Sequence, residues 1–499
     1  MKRALILLVI CSGVGLSAPS APAADSTNDL SRSLVKLVVT AQEFDAYMPW
    51  QKREPHTRSG YGIAVGPQRI LTSEALIRNA VLIEVQRPQS GARVAAQVVL
   101  ADHQVGLALL DVEDPDASFV PVAVRSNRQF TADTPLQVAQ LDNTLALQTG
   151  DATVLKVEMS ILPSAPHPIL LYTLLTDVAV NSRSAMVMSD DRLAGIVLQY
   201  SGNRGTAEVL PGSVIARFLS NAAETPYAGF AMAGFQWRPL IDPARRAYLK
   251  TDDTPDGVLV LSCLPGSGAS EVLEPNDVLL EWDGYRIDNL GYYSDPDLGR
   301  IGLPHLIKFR RAPGETVPLR ILRDGAALSL DLRLTRHDDT AALIPENTLR
   351  HQTPYLIEGG LILMELNGHF LRARGNNWTR SVDPRLAHIY LTRSSAPEQP
   401  GDRVVILAGV LPDRINQDYG MFRQQIVTAV NGEPVRNIRD IFRIIGSDGH
   451  VERVSLQGVG IDLVLDRAAL PDANARIARL YRVPLLRNPP PSATDKQQP

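Results

Sequence analysis

Residues 71–77 read LTSEALI, and they follow the segment GYGIAVGPQRI at residues 60–70. Glycine and proline interrupt this apolar segment, which is typical of a strand that ends at a sharp turn. Catalytic residues are often mounted where a rigid strand passes into a turn or loop. The polar positions here hold Ser73 and Glu74, and the next residue, Ala75, neither accepts nor donates a proton. Whether residues 71–77 belong to a catalytic site therefore has to be judged from the fold that the surrounding strands predict.

Short apolar runs lie on both sides of this stretch, from about residue 30 to about residue 220. Clusters of Gly, Pro, Asp and Asn separate the runs, and helical periodicity is weak. Many strands at close spacing favour a barrel or a sandwich over alternating helices and strands. Five runs have the length and composition of strands: SLVKLVV (33–39), VLIEVQR (81–87), VAAQVVLA (94–101), LALLDV (107–112) and LAGIVLQY (193–200).

The length and composition describe a multidomain globular protein. The chain has 499 residues, which suits two to four domains of ordinary size. Hydrophobic residues make up 44% and charged residues 21%, so a packed core is expected. The net charge is −4 and there is no long basic block, which argues against nucleic acid as a partner.

The N-terminus has the three-part layout of a secretory signal. Lys2 and Arg3 precede the apolar run ALILLVICSGVGL, and small residues and prolines then lead to APAADS. This layout predicts a signal peptide over residues 1–23, cleaved after Ala23, and a periplasmic or secreted protein. The alternative is a retained membrane anchor, but the apolar run is shorter than the ~20 residues that span a bilayer.

One cysteine, Cys263, remains after such cleavage, so the mature chain is expected to form no internal disulfide. It lies in the run GVLVLSCLP, where a small buried apolar residue is the simplest interpretation. The histidines are scattered, without the spacing of metal ligands on a shared helix or hairpin. The sequence therefore predicts neither a metal nor a cofactor.

A second unit, called the middle unit, is predicted over residues 226–336. Its segment 257–288 has the pattern of a strand, a turn, a short helix and a strand that ends at Asp283–Gly284. Asp-Gly between apolar runs is a strong signal for a tight turn. A hairpin is predicted further along, with Asp324–Gly325 at its turn.

A third unit, called the C-terminal unit, is predicted over residues 345–485 and repeats this plan loosely. A strand ends at Asn431–Gly432, and an amphipathic helix follows at residues 437–446. A last helix is predicted at residues 472–483. Residues 486–499 include NPPPSATDKQQP and have the composition of a disordered tail.

The first region resembles the trypsin-like protease domain of the HtrA/Deg family. In that family the base lies in a Leu-Thr-Asn-x-His-Val segment, and residues 71–76 place Ala75 at its position. The acid precedes an Ile-Ala-Leu-Leu run, and Gly106 precedes LALL here. The nucleophile segment resembles residues 176–197, and Ser182 takes its position within NSRS, where the family has GNSGG.

The resemblance extends along most of the chain. GFAMAGFQW (229–237) and EGGLIL (358–363) resemble PDZ domains of the plant-type Deg branch. The resemblance implies a mostly β protein: a trypsin-like double β-barrel over residues 28–223, followed by two PDZ-like α+β domains. Those two domains are the middle unit and the C-terminal unit.

The chemistry at the three positions leads to a prediction about activity. A serine hydroxyl such as that of Ser182 needs a neighbouring base, an acid that orients the base, and donors for the oxyanion. Ala75 and Gly106 supply neither base nor acid, and Arg183 and Ser184 replace the two glycines after the nucleophile. The sequence therefore predicts no catalytic residue and an inactive serine protease homologue.

One alternative retains activity through a different base. Glu74 precedes the vacant base position, and His103 lies three residues before Gly106. Adjacent strand residues point to opposite faces, so Glu74 is expected to turn away from a cleft, and His103 is expected on a surface loop. The alternative is an active serine endopeptidase that uses Ser182 with a non-standard base.

PDZ domains bind an extended peptide as an added strand, with its terminal carboxylate at a glycine-containing loop. Phe235 and Trp237 are expected either to border the peptide-binding pocket beside this loop or to belong to the core. The resemblance implies two peptide-binding loops: Met232, Ala233, Gly234 and Phe235 in the middle unit, and Gly359, Gly360 and Leu361 in the C-terminal unit.

The predicted partners follow from these loops. They are polypeptide segments or C-termini, an active HtrA/Deg relative, and further copies of the chain in a homo-oligomer. The predicted function is polypeptide binding in protein quality control, as a holdase, a scaffold or a regulator of the active relative. A structural envelope scaffold with one fixed partner is a further alternative.

Overall fold

The computed structural model describes residues 26–491 with short gaps. Every structural statement below concerns these residues. The predicted signal peptide and Ser182 lie outside them. The gaps are at residues 89–90, 115–118, 128–129, 131–133, 163–164, 181–182, 252–255, 337, 347–351, 376 and 448.

Six strands form a closed barrel in the order β1-β2-β3-β6-β5-β4. Their apolar residues alternate inward, so that Leu37, Ile70 and Leu110 are fully buried. Helix α1 (Ser26–Ser33) precedes the barrel, and the short α2 (Glu74–Ile77) follows β3. The strands are β1 (Leu34–Ala41), β2 (His56–Ala64), β3 (Arg69–Ser73), β4 (Ala80–Gln86), β5 (Arg93–Asp102) and β6 (Leu107–Val112).

A second closed barrel has the order β10-β11-β12-β9-β8-β7, and helix α3 (Gly212–Ala222) closes it. The two barrels confirm the predicted mostly β, double-barrel architecture. The long β8–β9 hairpin extends toward the middle unit. The strands are β7 (Leu136–Leu141), β8 (Leu147–Leu162), β9 (Ala165–Thr176), β10 (Met186–Ser189), β11 (Arg192–Ser201) and β12 (Thr206–Pro211).

The middle unit is built on a sheet with the order β14-β15-β16-β20-β21, in which β14 and β21 are the outer strands. Asp283 and Asp324 have φ of 52°, and the glycines after them are also left-handed, which fits the predicted tight turns. A π-helical turn covers Leu306–Arg310. The elements are β13 (Ala231–Met232), β14 (Phe235–Pro239), α4 (Pro243–Tyr248), β15 (Val258–Cys263), α5 (Gly268–Val272), β16 (Val278–Trp282), β17 (Tyr285–Arg286), β18 (Tyr292–Asp295), β19 (Gly299–Gly302), α6 (Leu303–His305), β20 (Thr316–Arg323), β21 (Ala326–Arg333) and β22 (Thr335–Arg336).

The C-terminal unit has a sheet with the order β29-β28-β26-β25-β24-β23-β30. Its last strand lies within the range 486–499 that was predicted as a tail. The elements are β23 (Tyr355–Glu358), β24 (Leu361–Glu365), α7 (Gly368–Arg372), α8 (Pro384–Arg393), β25 (Val405–Val410), β26 (Gln425–Val430), β27 (Glu433–Pro434), α9 (Ile438–Ile445), β28 (Arg453–Leu456), β29 (Leu463–Val464), α10 (Leu470–Leu480) and β30 (Arg487–Asn488). Short 3-10 turns cover Asp339–Ala341, Trp378–Arg380, Arg414–Asn416 and Tyr419–Phe422.

Specific contacts join the units. Trp50, from the connection between β1 and β2, is buried in the core of the C-terminal unit. The Tyr227 hydroxyl donates to Asp102 Oδ2 at 2.6 Å. Lys308 Nζ, in the π-helical turn, donates to the Gln104 carbonyl at 2.7 Å. Burial holds the pKa of Lys308 at about 8, well below its usual range.

Candidate functional site

The turn after β3 brings two of the predicted triad positions together. Ala75 lies in α2, and the N–H of the residue before it, Glu74, donates to the Gly106 carbonyl at 2.9 Å. Ser73 Oγ lies 2.6 Å from Ser184 Oγ, and both side chains are buried. The segment that follows Ser182 therefore packs directly against this turn.

Ser184, which the family resemblance aligns with a glycine, has an unusual backbone conformation. Ser184 has φ of 60°, a left-handed conformation that glycine adopts most readily. The preceding carbonyl, of Arg183, accepts the Tyr61 N–H at 3.0 Å. A Cβ on Gly60 would lie 2.7 Å from that carbonyl oxygen, so glycine is required there.

Glu74 is buried rather than turned to solvent, because a helical turn begins at this residue and strand alternation ends. Its Oε1 lies 3.0 Å from His103 Nδ1 and accepts from Arg78 Nε at 2.9 Å. Burial raises the pKa of Glu74, but hydrogen bonds from His103 and Arg78 outweigh burial and lower the pKa to about 2. A charged carboxylate and an imidazole thus lie beside Ala75. Sequence alternation did not predict this pairing.

The predicted glycine loop of the middle unit is tied to helix α5. Gly234 has φ of 82°, and a Cβ there would lie 2.2 Å from Ser267 Cβ. Its carbonyl accepts from the Leu264 N–H at 2.7 Å and from Ser267 Oγ at 3.1 Å. Ala233 O accepts from the Ala269 N–H at 3.3 Å. Only glycine fits this position, and the role of the loop in peptide binding stays a prediction.

Strand β14 begins directly after this loop and has one free edge. It pairs with β15 on one side, and no strand in the described part of the chain pairs with its other side. Phe235 packs near the buried Trp282, with ring centroids 6.1 Å apart. Trp237 covers Gly291, where a Cβ would lie 2.3 Å from the indole ring. Both aromatic residues are half-buried, so each contributes to the core and to the surface beside β14.

The predicted glycine loop of the C-terminal unit is a closed turn. Gly359 and Gly360 connect β23 to β24 with φ of 54° and 85°. The Gly359 N–H donates to Asn474 Oδ1 at 2.8 Å, and its carbonyl accepts from Asn416 Nδ2 at 2.7 Å. Leu361 is fully buried. The role of these residues in peptide binding stays a prediction, but the Gly359 donor already has a partner inside the unit.

Two general features of the described residues bear on function. No group of three or more His, Cys, Asp and Glu side chains there has the arrangement of a metal site. Among the same residues, no helix combines the length and apolar character needed to cross a bilayer.

Comparison with known proteins assigns part of the chain to a domain family. A PDZ domain model matches residues 344–489, which confirms the predicted PDZ domain in the C-terminal unit. The structure of a substituted HtrA-type protease AlgW with a decapeptide covers 63% of this chain and 97% of its own, at 15% identity and a TM-score of 0.50. The fold is therefore a trypsin-like protease fold combined with a PDZ domain.

Sequence relatives extend over nearly the whole chain. "Putative protease Do-like 13" of Arabidopsis thaliana is 24% identical over 92% of this chain and 89% of its own length. "Protease Do-like 2, chloroplastic" of the same plant is 24% identical over 91% of this chain and 74% of its own. The chain is thus similar to Do-like proteases over about nine-tenths of its length. A PDZ assignment for the middle unit and the altered triad stay predictions.

These relatives correct one prediction. The expectation that the chain is not an enzyme is wrong, because the relatives that cover about nine-tenths of it are named as proteases, which points to a serine protease. Glu74 and His103 were considered as a non-standard base in that prediction, with Glu74 expected to turn away from a cleft and His103 expected on a surface loop. Their pairing beside Ala75 depends on the tertiary structure.

Proposed function

We propose that this HtrA/Deg homologue binds extended polypeptide segments by strand addition to the free edge of β14. The free edge is the observation that supports the proposal. An outer strand presents unpaired N–H and C=O groups, and an extended backbone satisfies them. The PDZ domain match and the decapeptide in the AlgW structure also support peptide binding.

In this proposal the Gly234 loop receives the end of the bound segment. The loop lies at the start of β14, and its left-handed Gly234 leaves room for the Ser267 side chain that fixes the loop. Phe235 and Trp237 offer aromatic surface to the side chains of the segment. Pro239 ends the strand and has no N–H, so pairing is limited to the four residues before it.

Binding of labelled decapeptides to the full chain tests this proposal. A panel with free C-termini is measured by fluorescence anisotropy, and each peptide that binds is compared with its C-terminal amide. We expect micromolar binding for a subset and at least tenfold weaker binding of the amides. Absence of binding across the panel would reject the proposed function, and equal binding of acids and amides would remove the carboxylate from it.

The biological role of such binding is also proposed: holding of unfolded polypeptide, scaffolding of one fixed partner, or regulation of an active relative. Suppression of aggregation of an unfolded model protein distinguishes holding from the other two roles. We further propose export with cleavage after Ala23, and assembly of a homo-oligomer. N-terminal sequencing of the cell-derived protein and light scattering test these two statements.

A second candidate function is peptide-bond hydrolysis with Ser182 as nucleophile. The protease names of the relatives favour it. In this reaction the serine oxygen attacks the peptide carbonyl while its proton passes to a base other than residue 75. The C–N bond then breaks as that proton goes to the leaving amine, and water hydrolyses the resulting ester. Casein cleavage by the full chain, lost in Ser182→Ala and reduced in His103→Gln, is the expected result. Cleavage that survives Ser182→Ala would exclude Ser182 as nucleophile.

A further inference from the structure

A cleft of about 850 Å³ lies between the middle unit and the PDZ domain. All five residues of β14 line it on one side, together with Leu259 and Leu261 of β15. Leu391 and Thr392 of α8 line it on the other side. It is called the β14–α8 cleft here. Its volume lies in the range of about 300–1,000 Å³ that is common for ligand sites.

The two walls of the β14–α8 cleft present exposed apolar side chains. Ile241, two residues after β14, is 61% exposed, and Leu391 on α8 is 65% exposed. Large apolar side chains that face one cleft from two units form a surface that an apolar ligand group would cover. Leu261 adds a half-buried side chain at the floor.

The charges at the cleft favour a negatively charged ligand. Two guanidinium groups, of Arg238 and Arg245, line it together with one carboxylate, of Asp242. Asp242 Oδ1 is engaged as the N-cap of α4, where it accepts the Arg245 N–H at 2.9 Å. Arg245 Nη2 donates to the neutral Asn276 amide at 3.0 Å. Two guanidinium groups and one carboxylate leave the described lining of the cleft with an excess of one positive charge.

We infer that the β14–α8 cleft binds the body of the polypeptide that pairs with β14. Leu391 of the PDZ domain would select a large apolar side chain, and Arg238 would select an acidic residue. This inference rests on the proposed function and names its ligand class: an extended segment with an apolar residue next to an acidic one. The occupant is polypeptide because the cleft runs along an unpaired strand edge, which an extended backbone matches.

The cleft makes the PDZ domain part of the binding site of the middle unit. Neither unit alone contains both walls. A segment on β14 would therefore contact α8, although α8 belongs to a different unit of the chain. The selectivity of the site follows from the pairing of the two units and not from the β14 edge alone.

Substitutions at Leu391 test the inference on the full chain. A decapeptide from the panel that binds the wild type is measured with Leu391→Asp and with the matched control Leu480→Asp. Leu480 is 69% exposed on α10 of the same domain and does not line the cleft. We expect at least tenfold weaker binding for Leu391→Asp, unchanged binding for Leu480→Asp, and wild-type melting temperatures for both.

Arg238→Glu tests the charge selection. Binding of a peptide with an acidic residue should weaken at least fivefold, while the same peptide with glutamine there should bind as before. If the wild type binds and Leu391→Asp binds equally well, or if both control and variant lose binding, the cleft is excluded as the site and the proposed function stands. If the wild type binds no peptide, both proposals fail.

Discussion

Strands β14 and β24 both follow a glycine turn, and yet one is open and the other is closed. β14 is one of the two outer strands of the middle unit and, among the described residues, pairs with β15 alone. β24 lies between β23 and β25, inside the sheet of the PDZ domain. The same local signal, glycine followed by an apolar strand, thus leads either to a strand with a free edge or to an interior strand. The strand before the turn decides which of the two results: β23 pairs with β24, whereas β13 pairs with β22 and leaves β14 without a second neighbour among the described strands.

The PDZ domain also closes an outer edge of its sheet. The Tyr419 hydroxyl accepts the Val464 N–H at 3.0 Å and donates to the Val464 carbonyl at 2.9 Å, so a side chain occupies the edge of β29. Blocking of this kind protects edge strands from unwanted pairing. The described part of β14 has no such block, and this difference is the reason that the proposed peptide binding is assigned to the middle unit.

The largest expected effect is at Gly234. In Gly234→Asp, the new Cβ would overlap Ser267, and its left-handed backbone would be strained. We expect peptide affinity to fall at least about 100-fold, measured by anisotropy. Gly266→Asp is the matched control, because Gly266 is also left-handed but has open space around it. Equal peptide affinity of Gly234→Asp and the wild type would show that the Gly234 loop takes no part in peptide binding.

Gly360→Ala should affect stability and not binding. A Cβ there would lie 2.3 Å from the Leu411 carbonyl oxygen, and φ is 85°. We expect the free energy of unfolding of the PDZ domain to fall by about 2–4 kcal/mol, measured by denaturant titration. Gly401→Ala, left-handed with nothing near, should cost only about 1 kcal/mol. Loss of peptide binding in Gly360→Ala with an intact fold would place a site at this turn.

Glu365, at the end of β24, is half-buried, and we expect its side chain to make the stability of the chain depend on pH. Burial raises the pKa of Glu365, although its carboxylate accepts the Ile438 N–H at 3.0 Å. A carboxyl group with a raised folded pKa holds its proton longer in the native state, so its contribution to stability decreases as pH rises above the unfolded value. Glu365→Gln keeps the acceptor and should stabilise the chain by about 1 kcal/mol at pH 7.

The control for this pH effect is a substitution on β14, the strand with a free edge. Arg238 is exposed on β14, and Arg238→Gln should leave the pH dependence of the melting temperature unchanged. Glu365→Gln should instead remove part of the decrease in stability between pH 4 and pH 7. Identical pH profiles for Glu365→Gln and the wild type would show that β24 is not the less hydrated strand.

Tyr419→Phe should have the smallest effect. It removes both hydrogen bonds to Val464 at an exposed edge, which is expected to cost about 0.5–1.5 kcal/mol. The same change at Tyr248, which is 77% exposed, is the control and should be neutral. The opened β29 edge should also increase self-association at high concentration, measured by light scattering. A fully monodisperse variant would show that Tyr419 does not protect this edge.

The strands and turns of the fold were predictable because their signals are local. Asp-Gly at residues 283–284 and at residues 324–325 predicts tight turns, and both aspartates adopt the expected positive φ. The apolar runs of the first region predict a barrel or a sandwich, and two closed barrels are present. The PDZ domain match at residues 344–489 likewise confirms the prediction for the C-terminal unit.

The site was less predictable because its contacts are distant in sequence. Glu74 pairs with His103, 29 positions further along, and a helical turn begins at Glu74 where strand alternation ends. Trp237 and Leu391 line one cleft although they lie in different units. Periodicity describes which face of an element a residue occupies, but not which element later covers that face.

By itself, the sequence determined the local conformations: where strands run, where left-handed glycines turn the chain, and which residues are apolar enough to form a core. The tertiary structure alone decided that β14 keeps a free edge while β24 becomes interior, and that α8 faces β14 across a cleft. The physical reason is that backbone preferences act over a few residues. Strand pairing satisfies N–H and C=O groups with partners more than a hundred residues away, as β30 does for β23.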